Sequence, residues 1–429
     1  MRAGYGKKLR EFFLGEATID QLIDFGDSPI FSEATTYTNI LLFEKTANHK
    51  NPKVWDLSTS YRPATSLDIM LESQPQWAPL FNRDAFIILD PDLATIKQHI
   101  EKNGTPLKEW DISIYRGILT GFNEAFIIDG KKKDELIKED PKSAEIIKPI
   151  LRGRDIKRYR IEFADLWLIA TFPALKLDIN DYPAVRNFLQ TFGRKLYQTG
   201  EIIEKDENGN TIKSRKKTGN KWFETQDQIA YHKEFEKEKI VYAEIVFDSA
   251  FYFDTSGIYP EATAFVLTGE STKYLTAMLN SQLLTFAFRV FYAGGDLRGN
   301  TFRYKKVFLL NLPIIKTGDS QKFLFESLLD YVQLAQITNK KLESAFFEQL
   351  IDGLVYELYF SNEIKAAGKE ILPHLGDLEP LTNNLTDEEK LTVIQKEFDR
   401  LYDPNHIVRN HLETLDNVKI VRTIRKALK

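Results

Sequence analysis

Residues 148–160, KPILRGRDIKRYR, carry six basic side chains (Lys148, Arg152, Arg154, Lys157, Arg158 and Arg160) against one acid, Asp155, in a chain whose net charge is −4. Guanidiniums are planar forks of donors that match phosphate oxygens or the O6/N7 edge of guanine. The glycine in Arg152-Gly153-Arg154 predicts a backbone turn that lets both forks face one partner. A solvated turn bearing ordinary surface arginines fits the same residues. Two further basic stretches keep this one company. Residues 201–221 hold Lys213, Arg215, Lys216, Lys217 and Lys221 with no acid after Glu207, and residues 292–306 hold Arg298, Arg303, Lys305 and Lys306 against Asp296.

Other chemistries find little support. The chain has no cysteine, which excludes disulfides, zinc knuckles and thiol catalysis, and its six histidines are scattered. A magnesium-dependent nuclease needs clustered carboxylates beside a lysine. The nearest match, Pro91-Asp92 with Asp155-Ile156-Lys157, is widely split, and Asp155 is expected to orient its neighbouring arginines instead. Lys plus Arg number 58 against 62 acids, so a nucleic-acid binder of this balance must segregate its charge locally. The start, MRAGYGKKLREFF, has no apolar run or cleavage site, and no stretch is long enough to span a bilayer. A soluble, cytoplasmic protein is expected.

The elements that must position these side chains follow from periodicity. Length alone predicts two or three domains. Residues 5–14 read as a short helix with Leu9, Phe12 and Phe13 on one face and Lys7, Lys8, Arg10 and Glu11 largely opposite. Strands follow at 20–26 and around 39–43, and a connecting region with a helix near 93–101 extends to residue 110. Residues 112–129 predict two strands returning through a turn bracketed by Gly117 and Gly121, with a charged helix after them at 131–146. Further strands are expected at 165–171, 222–228, 239–246, 251–254 and 263–268. Residues 182–196 and 273–291 read as helices, the first with Val185, Phe188, Leu189 and Phe192 inward. Asp206-Glu207-Asn208-Gly209-Asn210 signals a hairpin turn, making residues 201–221 either a solvated loop or a basic arm. After residue 316 long helices are expected: Leu342, Phe346, Leu350, Leu354 and Leu358 form one stripe, and Thr386-x-x-Glu389 is a capping box.

Taken together, YGKKLREFFL, IDQLIDFGDSPIFSEATTYTNILLFEK, the 112–129 turn, KPILRGRDIKRYR, the Leu279-Asn280-Ser281 step and the Leu-Pro-Ile of residues 312–314 resemble type IIG restriction-modification enzymes. The first two segments resemble the end of that family's adenine-N6 DNA methyltransferase domain, and the rest its TaqI-like target recognition domain. The family's glycine-rich S-adenosylmethionine loop and Asn/Asp-Pro-Pro-Tyr/Phe motif have no counterpart, since the chain contains no Pro-Pro pair. The resemblance therefore implies the portion after the chemistry. S-adenosylmethionine and magnesium would belong to the complete enzyme, with no cofactor or metal held here, and whether this chain is itself an enzyme stays open.

The resemblance implies an α+β protein. Residues 1–46 would be a mixed α/β remnant of the methyltransferase sheet, 47–110 a connector, 111–316 an α+β recognition domain and 317–429 a helical region. Double-stranded DNA is the expected partner, contacted by Arg152, Arg154, Lys157, Arg158, Lys213, Arg215, Lys216, Lys217, Asn280, Arg298, Arg303 and Lys305. A methyltransferase and nuclease portion would join in cis or in trans. The competing expectation is a non-catalytic interaction module, with self-association through the incomplete methyltransferase edge.

Overall fold

The computed structural model describes residues 6–428 apart from 27, 29, 32–37, 47–49, 63, 82, 84–85, 206 and 294–300. The chain begins with the helix Lys7–Gly15 and a three-stranded sheet. Thr18–Asp24 lies in the middle of that sheet, antiparallel to Asn39–Glu44 and parallel to Lys53–Asp56. Ile19, Leu22 and Ile23 bury the middle strand, while Ile40, Leu42 and Phe43 of the outer strand remain exposed. The helix rotates away from its expected face. Phe13 is buried but Leu9 is 50% exposed, and Arg10 takes the inner position with its Nε donating to the Arg83 carbonyl at 3.0 Å. The strand at 53–56 was not anticipated; Val54 and Trp55 bury it. Beyond it stands the helix Pro91–Asn103, wider than expected because the Asp90 side chain caps it by accepting from the Asp92 amide.

Two four-stranded sheets form the middle of the chain. The central sheet runs Phe251–Asp254, Lys239–Ala243, Ala264–Gly269, Ile112–Arg116, all antiparallel. The second runs Tyr259–Pro260, Ile147–Leu151, Leu166–Ile169, Ile127–Asp129. All five residues of Lys239–Ala243 are buried, because both faces of the central sheet are covered. Val241, Ala264 and Val266 face the second sheet beside Ile150 and Leu168. Ile240, Tyr242, Phe251 and Leu267 face the helices beside Leu275 and Leu328. Alternating side chains thus feed two cores, and the strand reads as a continuous apolar run. The charged end of that strand, Lys239, is fully buried against Asp254, which also accepts from the Ile258 amide.

Three expectations need correction. Residues 112–129 are not a hairpin: Ile112–Arg116 joins the central sheet, and the chain then crosses through a short helix, Asn123–Phe126, into the second sheet at Ile127–Asp129. Residues 222–228 are turns, not a strand. The helix expected at 273–291 is broken at Ser281, whose Oγ caps Gln282–Ala287 by accepting from the Leu284 amide at 3.3 Å, and it closes in a π-helical turn, Phe288–Tyr292.

The long helices after residue 316 are present as Asp319–Ile337 and Lys341–Tyr359. Phe346, Leu350 and Leu354 bury their stripe, although Leu342 faces solvent. Thr386 and Glu389 form the reciprocal capping box. Leu354 and Val421 belong to the same hydrophobic cluster as Tyr242 and Leu275, so the central sheet and the C-terminal helices share one core. The architecture is α+β. Among the described residues no helix is long and apolar enough to cross a membrane.

Candidate nucleic-acid interface

The strand Ile147–Leu151 delivers Arg152 to the start of a single 3-10 turn, Gly153–Asp155. Arg152 donates through Nε and Nη2 to the two carboxylate oxygens of Asp155, at 2.8 and 2.7 Å, and its amide donates to the same carboxylate. Burial works to raise the Asp155 carboxyl, but these hydrogen bonds outweigh it and hold the group below the usual carboxylate range. Arg152 is spent on this pair. Gly153 is required for a reason other than a free turn. A Cβ there would stand 2.7 Å from the Thr263 carbonyl, and its amide donates to Thr263 Oγ1 at 2.9 Å.

The remaining members of the stretch divide by exposure. Arg154 is exposed, and its guanidinium makes no hydrogen bond or ion pair among the described residues. Lys157 donates to the Arg154 carbonyl at 2.7 Å and lies 3.5 Å from Glu162. Arg158 turns inward, 3.6 Å from Glu348, 3.8 Å from Asp352 and 4.0 Å from Asp248. It ties the strands around it to the helix Lys341–Tyr359.

Residues 201–221 form the expected hairpin, Ile202–Lys205 paired with Thr211–Lys213, with Gly209 at φ +82° in its turn. Lys213, Lys216 and Lys217 are exposed on it. Arg215 is not. Its guanidinium is buried and donates to four backbone carbonyls: Leu196 (2.8 Å), Thr120 (3.2 Å), Glu224 (2.8 Å) and Trp222 (2.7 Å). Burial pushes it down to about 10, so it is still a cation at neutral pH. Arg215 is the bolt that fixes the arm to the turn after Ile112–Arg116. The 222–228 segment forgoes strand pairing to wrap it.

Asn280 is likewise structural. It is 0% exposed, its Nδ2 donates to the Phe251 carbonyl at 2.8 Å, and its Oδ1 accepts from the Phe251 amide at 3.1 Å. Both polar atoms are used, leaving none for a base. Arg303 lies on the short strand Phe302–Arg303 against Ile245–Val246, and Lys305 follows it exposed. Arg298 falls outside the described residues.

A chain of hydrogen bonds connects the surviving candidates. Gly153 is held by Thr263; the Glu244 amide donates to the Thr263 carbonyl at 3.1 Å; the Tyr304 amide donates to the Glu244 carbonyl at 2.9 Å. Arg154 and the pair Arg303 and Lys305 therefore border one end of the central sheet, where Ile245, paired with Arg303, and Phe247 two residues on are exposed. On the other flank, Gly117 sits so close to Glu261 that a Cβ would fall 2.1 Å from its carbonyl oxygen. The same turn reaches Arg215 and the arm through Thr120.

A cavity of about 440 Å³ brings Arg158 together with residues that the sequence reading missed, among them Phe247, Asp248, Gln282, Arg289 and Arg425. Arg289 sits within an apolar helical run and Arg425 at the far end of the chain, so no local spacing unites them. Asp92 ion-pairs with Lys419 at 2.8 Å, and Asp155 with Arg152, so the nearest nuclease-like carboxylates serve separate structural contacts. Among the described residues no three His, Asp or Glu side chains group as metal ligands.

Residues 148–314 match the family model of the TaqI-like C-terminal specificity domain. Among solved structures, the chain is similar to the type IIG restriction endonuclease BpuSI (15% identity, TM-score 0.38, 83% of this chain and 46% of that one). It is also similar to the type IIL restriction-modification enzyme MmeI in complex with DNA (12% identity, TM-score 0.38, 97% of this chain and 49% of that one). The chain spans about half the length of these structures. No curated protein matches it.

Proposed function

We propose that this chain reads the sequence of duplex DNA as the specificity portion of a type IIG restriction-modification enzyme that methylates adenine at N6. The observation that carries the reading is the specificity-domain match over residues 148–314, a span that also presents Arg154, Lys213, Lys216, Lys217 and Lys305 to solvent. Phosphate contacts from the lysines would fix register on the duplex, while Arg154 and Arg303 address base edges. Methyl transfer and cleavage, with S-adenosylmethionine and magnesium, are assigned to a methyltransferase and nuclease portion joined in cis or in trans, in the cytoplasm. The test is retention of random-sequence duplexes at two salt concentrations, followed by sequencing. An enriched motif that survives the higher salt supports the reading; salt-sensitive retention without a motif reduces it to phosphate contact.

A second reading, an interaction module, is favoured by one observation. Ile40, Leu42 and Phe43 on the outer strand of the first sheet, and Leu9 on the helix Lys7–Gly15, leave apolar side chains exposed. Light scattering over a concentration series decides: a concentration-dependent dimer supports it, and a constant monomer removes self-association.

A further inference from the structure

Phe247 is 73% exposed, more than any other large hydrophobic side chain described, and it makes no aromatic contact among the described residues. It does not sit on a slack loop. On one side Ile245 and Val246 pair with Arg303 and Phe302. On the other, the Ser249 hydroxyl donates to the Asn280 carbonyl at 3.3 Å and the Asn280 side chain brackets Phe251. The short segment is clamped at both ends, so the fold holds an apolar ring in water at fixed position. Ile245 is exposed two residues earlier, and Arg303 and Lys305 border the same end of the sheet.

Phe247 also stands at the cavity of about 440 Å³, a size within the range of pockets that enclose small organic groups. Its polar lining is mixed. Arg158 keeps its Nε and Nη2 buried without a hydrogen bond, and Arg289 has no ion-pair or hydrogen-bond partner among the described residues. Gln282, whose Oε1 already accepts from Arg425 Nε at 3.2 Å and the Tyr356 hydroxyl at 3.3 Å, supplies its amide nitrogen as a donor, and Asp248 supplies a carboxylate 4.0 Å from Arg158. With Glu348 and Asp352 behind Arg158, and Asp416 holding Arg425 at 2.7 Å, two of the three guanidiniums are largely neutralised, and only Arg289 is left uncompensated in a lining that also carries the Asp248 carboxylate. Such a site is poor for a phosphate. Donors and acceptors side by side, under an aromatic ring, instead match the edge and face of a nucleobase.

We infer that Phe247 is a wedge that enters a base step of bound duplex DNA, and that the adjoining cavity receives the base it displaces. The inference rests on the DNA-reading proposal and deepens it. The protein would then read sequence partly through how readily one step unstacks, since that cost depends on the bases involved.

The experiment uses the full chain and the duplex enriched from the random pool, with 2-aminopurine placed at each position in turn. Wild type is expected to raise the fluorescence at one step. Phe247→Ala, at a solvent-facing position that leaves the fold intact, is expected to abolish the rise and to weaken binding on the order of tenfold. That loss should largely vanish on a duplex with an abasic site at the same step, where unstacking is already done. Equal affinity of the two proteins, or a fluorescence rise that persists in Phe247→Ala, overturns the wedge while leaving DNA recognition standing. If wild type retains no duplex at all, the functional reading fails and the wedge with it.

Discussion

Arg152 and Asp155 meet in two side-chain hydrogen bonds of 2.8 and 2.7 Å, so the first arginine of the basic stretch serves the turn that carries the second. The pair has a stated pH signature. The Asp155 carboxyl is held below its ordinary range in the folded chain, so its contribution is complete above about pH 4, the unfolded value, and is lost as the pH falls through the lower folded value. Asp155→Asn is expected to cost about 1.5–3 kcal/mol at neutral pH, the range for hydrogen bonds to charged groups. Denaturant titrations at pH 7 and pH 3 should show the two proteins converging at the lower pH. A gap that does not narrow removes the assignment.

Because Arg152 is committed to Asp155, reversing both arginines together would confound binding with local unfolding. Arg154 alone is the informative site, exposed and unpaired. Arg154→Glu is expected to leave circular dichroism unchanged, to weaken duplex binding by about 1–3 kcal/mol and to relax sequence preference if the side chain reads a base. Lys305→Glu should instead weaken all sequences alike and reduce the salt slope by about one. A mobility-shift titration on matched and mismatched duplexes separates the two roles, and unchanged affinity in Arg154→Glu would remove it from the interface.

Arg215 and Asn280 should fail in the opposite way. Truncating Arg215 strands four carbonyls that now share one guanidinium, and a loss of about 3 kcal/mol or more is expected. Asn280→Ala removes both side-chain bonds to Phe251, with an expected loss of about 2 kcal/mol. Thermal melts should register both losses. A melt unchanged from wild type in either variant would remove the structural role assigned to that residue.

How far the sequence was readable follows from what each signal encodes. The strands Lys239–Ala243, Phe251–Asp254 and Ala264–Gly269 were legible because burial on two faces leaves an uninterrupted apolar run. The hairpin at 201–221 was legible because Asn208-Gly209 dictates a turn locally. Pairing was not legible at 112–129, where two apolar segments across a glycine turn specify strands but not partners; Gly117 answers to Glu261, far along the chain. Direction was not legible within basic runs. Arg215 and Lys216 are adjacent and equally charged, yet one points into a nest of carbonyls and the other to solvent. Arg158 looked like its neighbours because its carboxylate partners, Glu348 and Asp352, lie on a helix nearly two hundred residues later.

That last contact carries an inverted pH dependence. Burial pushes the Asp352 carboxyl up to about 6 despite Arg158 beside it, while Arg158 itself is held more firmly protonated than usual. The two directions agree once the stoichiometry is considered. One guanidinium draws on Asp248, Glu348 and Asp352, whereas Asp352 has a share of that cation and is opposed by Glu348 one helical turn away. An acid whose folded value lies above its unfolded value binds more protons when folded, so stability declines as pH rises from about 4 to about 6 and levels off above. Asp352→Asn keeps an acceptor for the Gln282 amide, now 2.7 Å from Asp352 Oδ1, but cannot ionise. The stability of wild type relative to this variant is therefore expected to fall by on the order of 2–3 kcal/mol between pH 4 and pH 6.5. Urea titrations across that window measure it directly. A relative stability that holds constant, or rises with pH, would mean that Asp352 is ionised throughout and that Arg158 stabilises its charge more than burial opposes it.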